Sequence, residues 1–350
     1  MQKKRSDWRR ITMIAAATAA FMWVMLYAPT PYVVYEPGIA VSVKPMISIE
    51  AGDKPGNGDF LLTAVKLTEP NFLRTFSSMW DANKDVHLRR DVFRGYTQEQ
   101  FAVRQQVIMQ GSQNNAIEAA YHYADLPYST KADGLLVADI LIGGDPARSG
   151  FKSGDLLHGL RGGEQAETAE QLLASIQSLN QTGVVSFDVD RDGQRTQISF
   201  PRESFSEKMT NEQLLDVLGI KSLTELRSLE PDDPENRITI AAGEIGGPSA
   251  GLVFALQALE LLTEGDLSGG SRIAATGTIT VDGRVGAIGG IKQKIVIASE
   301  KGAKLFLVPA GNFKEAEAKA KALGTAMKIA SVSTLQEAVQ QVTLLQKAAQ

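Results

Sequence analysis

The sequence predicts an α+β protein with one N-terminal transmembrane helix, a β-rich middle with a helical elaboration, and a C-terminal α+β unit. Three observations predict it. An uncharged run, Ile11 to Ala28, follows a basic cluster. Short apolar runs between glycine turns fill residues 134–200. A glycine-rich loop ending at Ser249 precedes a helix that is apolar on nearly all sides, with Lys292 and Lys294 further downstream.

A chain of 350 residues has room for about two domains and an anchor. Its 43% hydrophobic and 22% charged residues are ordinary for a globular protein with a substantial core. The absence of cysteine excludes disulfides, thiolate metal sites and cysteine nucleophiles. Residues 1–10, read as a cytoplasmic basic segment, carry Lys3, Lys4, Arg5, Arg9 and Arg10 against Asp7, while the whole chain is −4. The remainder is therefore acidic, and nucleic-acid binding is not expected.

Residues 11–28 form the expected anchor. As a helix they rise about 27 Å, close to the hydrocarbon thickness of a bilayer. Trp8 and Tyr27 suit the two interfaces, and the positive flank predicts a cytoplasmic N-terminus. A cleaved signal peptide is the rival reading, but cleavage after Ala28 would put Leu26 where a small residue is preferred. Either way the chain beyond about residue 30 is expected outside the cytoplasm. Proline ends the helix in Pro29-Thr30-Pro31-Tyr32-Val33-Val34-Tyr35-Glu36-Pro37-Gly38, which reads as extended.

Within residues 29–124, Phe60 to Val65 reads as a buried strand set off by the turn-forming stretch from Gly52 to Gly58. A helix is expected from about Thr97 to Tyr123, an elaboration of the neighbouring domain without interpretable chemistry. From Gly134 to Ile140 the pattern is strand. Pro146 to Leu157 follows as a short helix, a glycine turn and a strand. Ala169 to Leu179 has Leu172, Leu173 and Ile176 at helical spacing, and Val184–Asp190 with Thr196–Phe200 reads as a hairpin around Gly193. The order strand, Ala147-x-x-Gly150-x-x-x-Gly154-Asp155, helix and hairpin resembles a bacterial PDZ domain over residues 125–203. The resemblance implies a groove that takes an extended peptide by strand addition, with Gly134, Leu135, Leu136 and Val137 as the pairing edge. A small barrel without a peptide partner is the plain alternative.

Residues 204–236 read as a polar linker in which Leu214 to Leu229 forms a helix. The Pro231-Asp232-Asp233-Pro234 turn then leads into a strand, Arg237 to Ala242. After it, Gly243 to Pro248 is a loop, and Ala250 to Leu262 is a core helix. Ser249 thus stands at a helix N-terminus. It is either an N-cap or a nucleophile beside free backbone donors that could stabilise an oxyanion, with Gly247, Ser249 and Ala250 as the expected amides.

Gly247-Pro248-Ser249-Ala250-Gly251 formally satisfies the nucleophile elbow of α/β-hydrolases, but His87, His122 and His158 all precede the serine. Gly286 to Gln293 lacks the glycine and the Ser/Thr that flank a P-loop lysine. No metal-ligand spacing occurs, and no cofactor is expected. What remains is serine with lysine. A serine needs an adjacent base, and burial can lower a lysine pKa enough to supply one. Lys292, flanked by Gly290, Ile291, Ile295 and Val296, and Lys294 both qualify; periodicity does not separate them.

Residues 237–345 resemble the proteolytic domain of the Lon family. The resemblance rests on Gly247-Pro248-Ser249-Ala250-Gly251, Ala275-Thr276-Gly277-Thr278-Ile279, Gly283-Arg284-Val285, Ile288-Gly289-Gly290-Ile291-Lys292-Gln293-Lys294, Lys301-Gly302-Ala303-Lys304, Leu307-Val308-Pro309 and Asn312. It implies Ser249 as nucleophile, Lys292 as base and Thr276 as a neighbour of the pair. Gly246 stands where such enzymes often carry aspartate, and the sequence has no ATPase motif. Taken whole, the chain resembles the membrane-anchored, PDZ-containing Lon-like proteases. That implies an ATP-independent serine endopeptidase at the outer face of the cytoplasmic membrane, acting on peptides or flexible protein segments, with self-assembly into a homo-oligomer a further expectation. A tethered peptide-binding scaffold and a self-processing regulator are the alternatives.

Overall fold

The computed structural model of the chain describes residues 2–51, 56–141, 150–179, 183–191, 193–206 and 208–349. Helix α1, Gln2–Tyr27, stops just before Pro29. Its stretch Trp8–Tyr27 has mean hydropathy 1.5 and contains no buried residue, so it is long and apolar enough to cross a membrane. Strands β1 (Tyr32–Ser42), β2 (Ile47–Ile49) and β3 (Asp59–Thr68) follow. Then come helix α2 (Phe72–Met79), strand β4 (Asp85–Leu88) and helix α3 (Arg89–Phe93). Helix α4, Gln98–Tyr123, starts on a capping box in which Thr97 and Gln100 satisfy each other's backbone amides.

The middle of the chain is a five-stranded antiparallel sheet. It contains β5 (Tyr128–Ile140), β6 (Leu156–Leu160), β7 (Val184–Arg191), β8 (Gln194–Pro201) and β9 (Ile220–Pro231) in the order β8-β7-β6-β5-β9. Helices α5 (Ala169–Gln177) and α6 (Asn211–Leu218) bury Leu172, Ile176, Leu214 and Leu218 against Leu135, Val137, Phe187 and Val189 of the sheet. Entry and exit are adjacent. Tyr128 pairs with Pro231, and the Asp232 amide donates to the Pro127 carbonyl at 3.1 Å. This sheet is thus an insertion whose two ends meet, the arrangement that disturbs a host domain least.

The host is completed by β10 (Ile238–Ile240), α7 (Gly251–Leu262), β11 (Arg272–Ala275), β12 (Thr278–Ile279), β13 (Val285–Gly286), α8 (Ile291–Glu300), β14 (Leu305–Pro309), α9 (Phe313–Leu323), β15 (Lys328–Val332) and α10 (Leu335–Ala349). Six strands form its sheet in the order β15-β14-β11-β3-β1-β4. The first four run parallel; β1 is antiparallel to β3, and β4 to β1. Side chains alternate across it as strand geometry requires. Phe60, Leu62, Ile273, Ala275, Leu305 and Leu307 join the core under α4, α7 and α10. Leu61, Ala274, Phe306 and Val308 join the core under α8 and α9.

This topology corrects three expectations. Residues 29–124, read as linker and elaboration, contribute β1, β3 and β4, so the 237–345 segment supplies only half the strands of its own sheet. The helix expected from Leu214 to Leu229 ends at Leu218, where Gly219 takes the left-handed φ of 67° that closes a helix, and the rest is strand β9. Leucines at 223, 226 and 229 imitate a helical period, but pairing with β5 along almost its full length prevails. Finally, Gly134, Leu135, Leu136 and Val137 are not an edge. β9 pairs with them on one side, and on the other Leu135 and Leu136 pair with β6 while the Val137 amide donates to Asp155. The start of the Pro146 to Leu157 stretch, residues 146–149, where a short helix was expected, and most of the turn at 52–58 lie outside the described residues.

Candidate active site

Ser249 lies in a 3-10 turn, Pro248–Ala250, immediately before α7. Gly247 enters it with φ of 90°, a conformation that favours glycine. Helix α4 holds this loop from outside. The Gly247 amide donates to the Gln105 carbonyl at 2.8 Å, and the Ser112 hydroxyl donates to the Pro248 carbonyl at 3.1 Å. The N-cap of α7 is Ala250, and no side chain caps that helix, so Ser249 is not spent on capping.

The same close approach explains Gly246. A Cβ there would fall 2.7 Å from the Cβ of Gln105 and 3.2 Å from its backbone carbon, so the aspartate expected by resemblance has no room. Gly246→Asp should therefore displace α4 or the loop, lowering stability by about 1–3 kcal/mol, as overpacking does. Denaturant unfolding of the two proteins checks this; equal midpoints would show that the contact yields freely.

Lys294 reaches Ser249 from α8. Gly290 opens that helix at φ 71°, and a Cβ on it would meet Val65 of β3 at 2.6 Å, so the helix N-terminus is seated tightly against the sheet. Lys294 Nζ is 2.7 Å from Ser249 Oγ and 2.9 Å from Thr276 Oγ1. The side chain is 2% exposed, and its burial pushes the amine down to about 7. A neutral amine at that distance can accept the serine proton.

Lys292, the base expected by resemblance, is elsewhere. Residues two apart on a helix point about 200° from each other, so only one of the two lysines can face the serine. Lys292 Nζ lies 3.0 Å from Asp85 and 3.7 Å from Glu315, and its hydrogen bond to Asp85 holds its pKa above the usual lysine value. Asp85 also accepts from Gln293 Nε2 at 3.0 Å. Burial pushes the Asp85 carboxyl up, but the bonds from Gln293 and Lys292 outweigh it and hold it below the usual range. This group clamps α8 onto β4.

Thr276 is fully buried just past β11, and the structure brings it to the pair. Its hydroxyl accepts from Lys294 and donates to the Ser249 carbonyl at 3.1 Å, while the Gly277 amide donates to that carbonyl at 2.9 Å. Thr276→Val removes both hydroxyl bonds at nearly constant volume. Turnover should fall about tenfold or more, with recovery in Thr276→Ser; a kcat unchanged in the valine variant would show that the hydroxyl does not position the lysine. Of the expected oxyanion amides, Gly247 is committed to Gln105, leaving those of the 3-10 turn at Ser249 and Ala250.

The serine and lysine open into a cleft of about 320 Å³ between β3, α4 and the Ile288–Gly289 loop. Leu62 to Val65 form one wall, with Gln105 and Met109 opposite. The Thr63 hydroxyl on that wall is buried and has no hydrogen-bond partner among the described residues. Sequence reasoning missed Gln105, Met109, Ser112 and Thr63. Nothing in their local pattern marks them, because only the packing of α4 and β3 brings them to the loop.

Residues 233–345 match the Lon protease (S16) C-terminal proteolytic domain. A Lon protease of Neorickettsia sennetsu is 37% identical over 93 residues, 27% of this chain and 11% of its own. One from Trichlorobacter lovleyi is 33% identical over 114 residues, 31% and 14% respectively. The mitochondrial Lon protease homolog of Eremothecium gossypii is 32% identical over 140 residues, 40% and 12%. The chain therefore spans a small fraction of the relatives it matches. The likeness is to a serine peptidase domain.

Proposed function

We propose that the protein is a serine endopeptidase using Ser249 and Lys294, anchored by α1 and acting without nucleotide on peptides or flexible segments at the outer face of the cytoplasmic membrane. The observation that carries this reading is the 2.7 Å approach of a buried, readily deprotonated amine to the serine hydroxyl. Neutral Lys294 takes the Ser249 proton as Oγ bonds to the substrate carbonyl carbon. Amides of the 3-10 turn receive the oxyanion. The resulting ammonium returns its proton to the leaving nitrogen as the peptide bond breaks, which leaves an ester on Ser249 and a neutral amine. Lys294 then deprotonates a water that attacks the ester, and the proton goes back to Ser249.

Membrane attachment is supported by the exposed apolar length of α1, and the outward orientation by the basic residues before it. The five-stranded sheet, PDZ-like by sequence, would recruit the substrate. It lies against the same α4 that holds the serine loop, through Arg104–Asp139 at 3.2 Å and Arg227–Glu118 at 2.9 Å. The test is cleavage of unstructured peptides by the purified full chain without ATP, alongside Ser249→Ala. Cleavage that survives in a folded alanine variant would sink the proposal, and no cleavage by wild type with no labelling of Ser249 by a serine-reactive probe would favour the tethered scaffold.

A further inference from the structure

Helix α2 turns its apolar side outward. Leu73, Phe76, Met79 and the following Trp80 are 55%, 54%, 52% and 88% exposed, whereas its small polar residues Thr75 and Ser78 are buried. Spacings of three, six and seven residues put the four exposed side chains on one side. A helix facing water has the reverse distribution, so this face needs an apolar or amphipathic partner.

Its position says which. Asn71, the N-cap of α2, donates from Nδ2 to the carbonyl of Leu26 at 3.0 Å, and Thr30 Oγ1 donates to the Pro70 carbonyl at 2.9 Å. Leu26 belongs to the last turn of α1. The start of α2 is therefore fixed at the level where the apolar run of α1 ends, and the exposed surfaces of the two helices are contiguous at that end. Aromatic residues collect at this depth of a bilayer, where Trp80 and Phe76 would join Tyr27.

We infer that α2 is an interfacial helix whose Leu73, Phe76, Met79 and Trp80 enter the headgroup region of the phospholipid bilayer that α1 crosses. The inference rests on the anchoring reading of α1. Eight residues bind a bilayer weakly alone, so the contact orients the protein rather than attaching it. The orientation would reach the catalytic unit directly. The segment after α2 is docked on α8 and α9, through Asp85 to Lys292 at 3.0 Å and through Lys319 Nζ to Asn83 Oδ1 at 2.6 Å and the Ala82 carbonyl at 2.8 Å. A helix lying in the interface thereby sets the tilt of α8, which carries Lys294, relative to the membrane.

The three tryptophans, Trp8, Trp23 and Trp80, make the test direct. Full-length protein is reconstituted in phosphatidylcholine vesicles with bromine near the headgroup end of the acyl chains or near the bilayer centre. Trp8→Phe/Trp23→Phe leaves Trp80 as the reporter; Trp8→Phe/Trp80→Phe leaves Trp23. Trp80 should lose about half or more of its emission to shallow bromines, little to deep ones, and resist aqueous iodide, as befits an interfacial depth. Trp80 that iodide quenches and bromine does not overturns the inference. Trp80 shielded from both overturns it too, in favour of a protein-covered face such as a second copy. Trp23 reports separately on the anchor. Trp23 lies about 6 Å along α1 from Tyr27, so its quenching by lipid bromine at either depth without shallow quenching of Trp80 refutes the interfacial helix alone, whereas loss of both signals refutes the anchor with it.

Discussion

Replacing Lys294 by methionine should lower kcat/KM for peptide cleavage by about 10³-fold or more, whereas Lys292→Met should change it by less than about threefold. Methionine fills the buried channel at similar volume and leaves Ser249 without a base. The serine and lysine act as one unit, so Ser249→Ala/Lys294→Met should be no worse than either single change. Lys292 is 37% exposed and paired with Asp85 and Glu315, and ion pairs of that kind are worth little. Steady-state kinetics on wild type and the four variants, with circular dichroism to confirm folding, decide the matter. Equal losses at Lys292 and Lys294 would move the Asp85 clamp into the catalytic machinery. Retained cleavage in Lys294→Met would remove the proposed base altogether.

The contrast between these lysines shows where sequence reading stops. The 250–262 helix, the buried strand at Phe60 to Val65 and the helix from about Thr97 were legible because composition, period and apolar runs are local signals. The position of Ser249 at the start of the core helix was legible because its glycine loop and that helix are local too. Choosing between Lys292 and Lys294 needs the rotation of α8, whose start at Gly290 is seated closely on Val65, more than two hundred residues away in sequence. The same holds for Gln105 and Gly246, and for β9, whose leucine spacing imitated a helix until β5 claimed it as a strand. Each miss lies where a long-range contact overrode or completed a local pattern.

Protonation of Lys294 should govern both activity and stability, and both should rise as pH rises from about 7. Cleavage requires the neutral amine, so kcat/KM should rise with pH through about 7 and be lost below it. For stability, the folded value of about 7 lies below the ordinary 10.5 of the unfolded chain. Between those values the unfolded state binds more protons, so this group makes stability rise with pH across the window from about 7 to 10.5. Below pH 7 both states are charged, and the full cost of burying an ammonium, about 4–5 kcal/mol by linkage, opposes folding. Lys294→Met never ionises. It should be the more stable protein at pH 7 by about 4 kcal/mol, with the gap closing as pH approaches 10.5. Every other titrating group is common to both proteins, so the difference between their unfolding curves isolates this lysine. A gap that stays constant from pH 6 to 10 would mean that the amine keeps its charge, and a charged amine cannot take the serine proton.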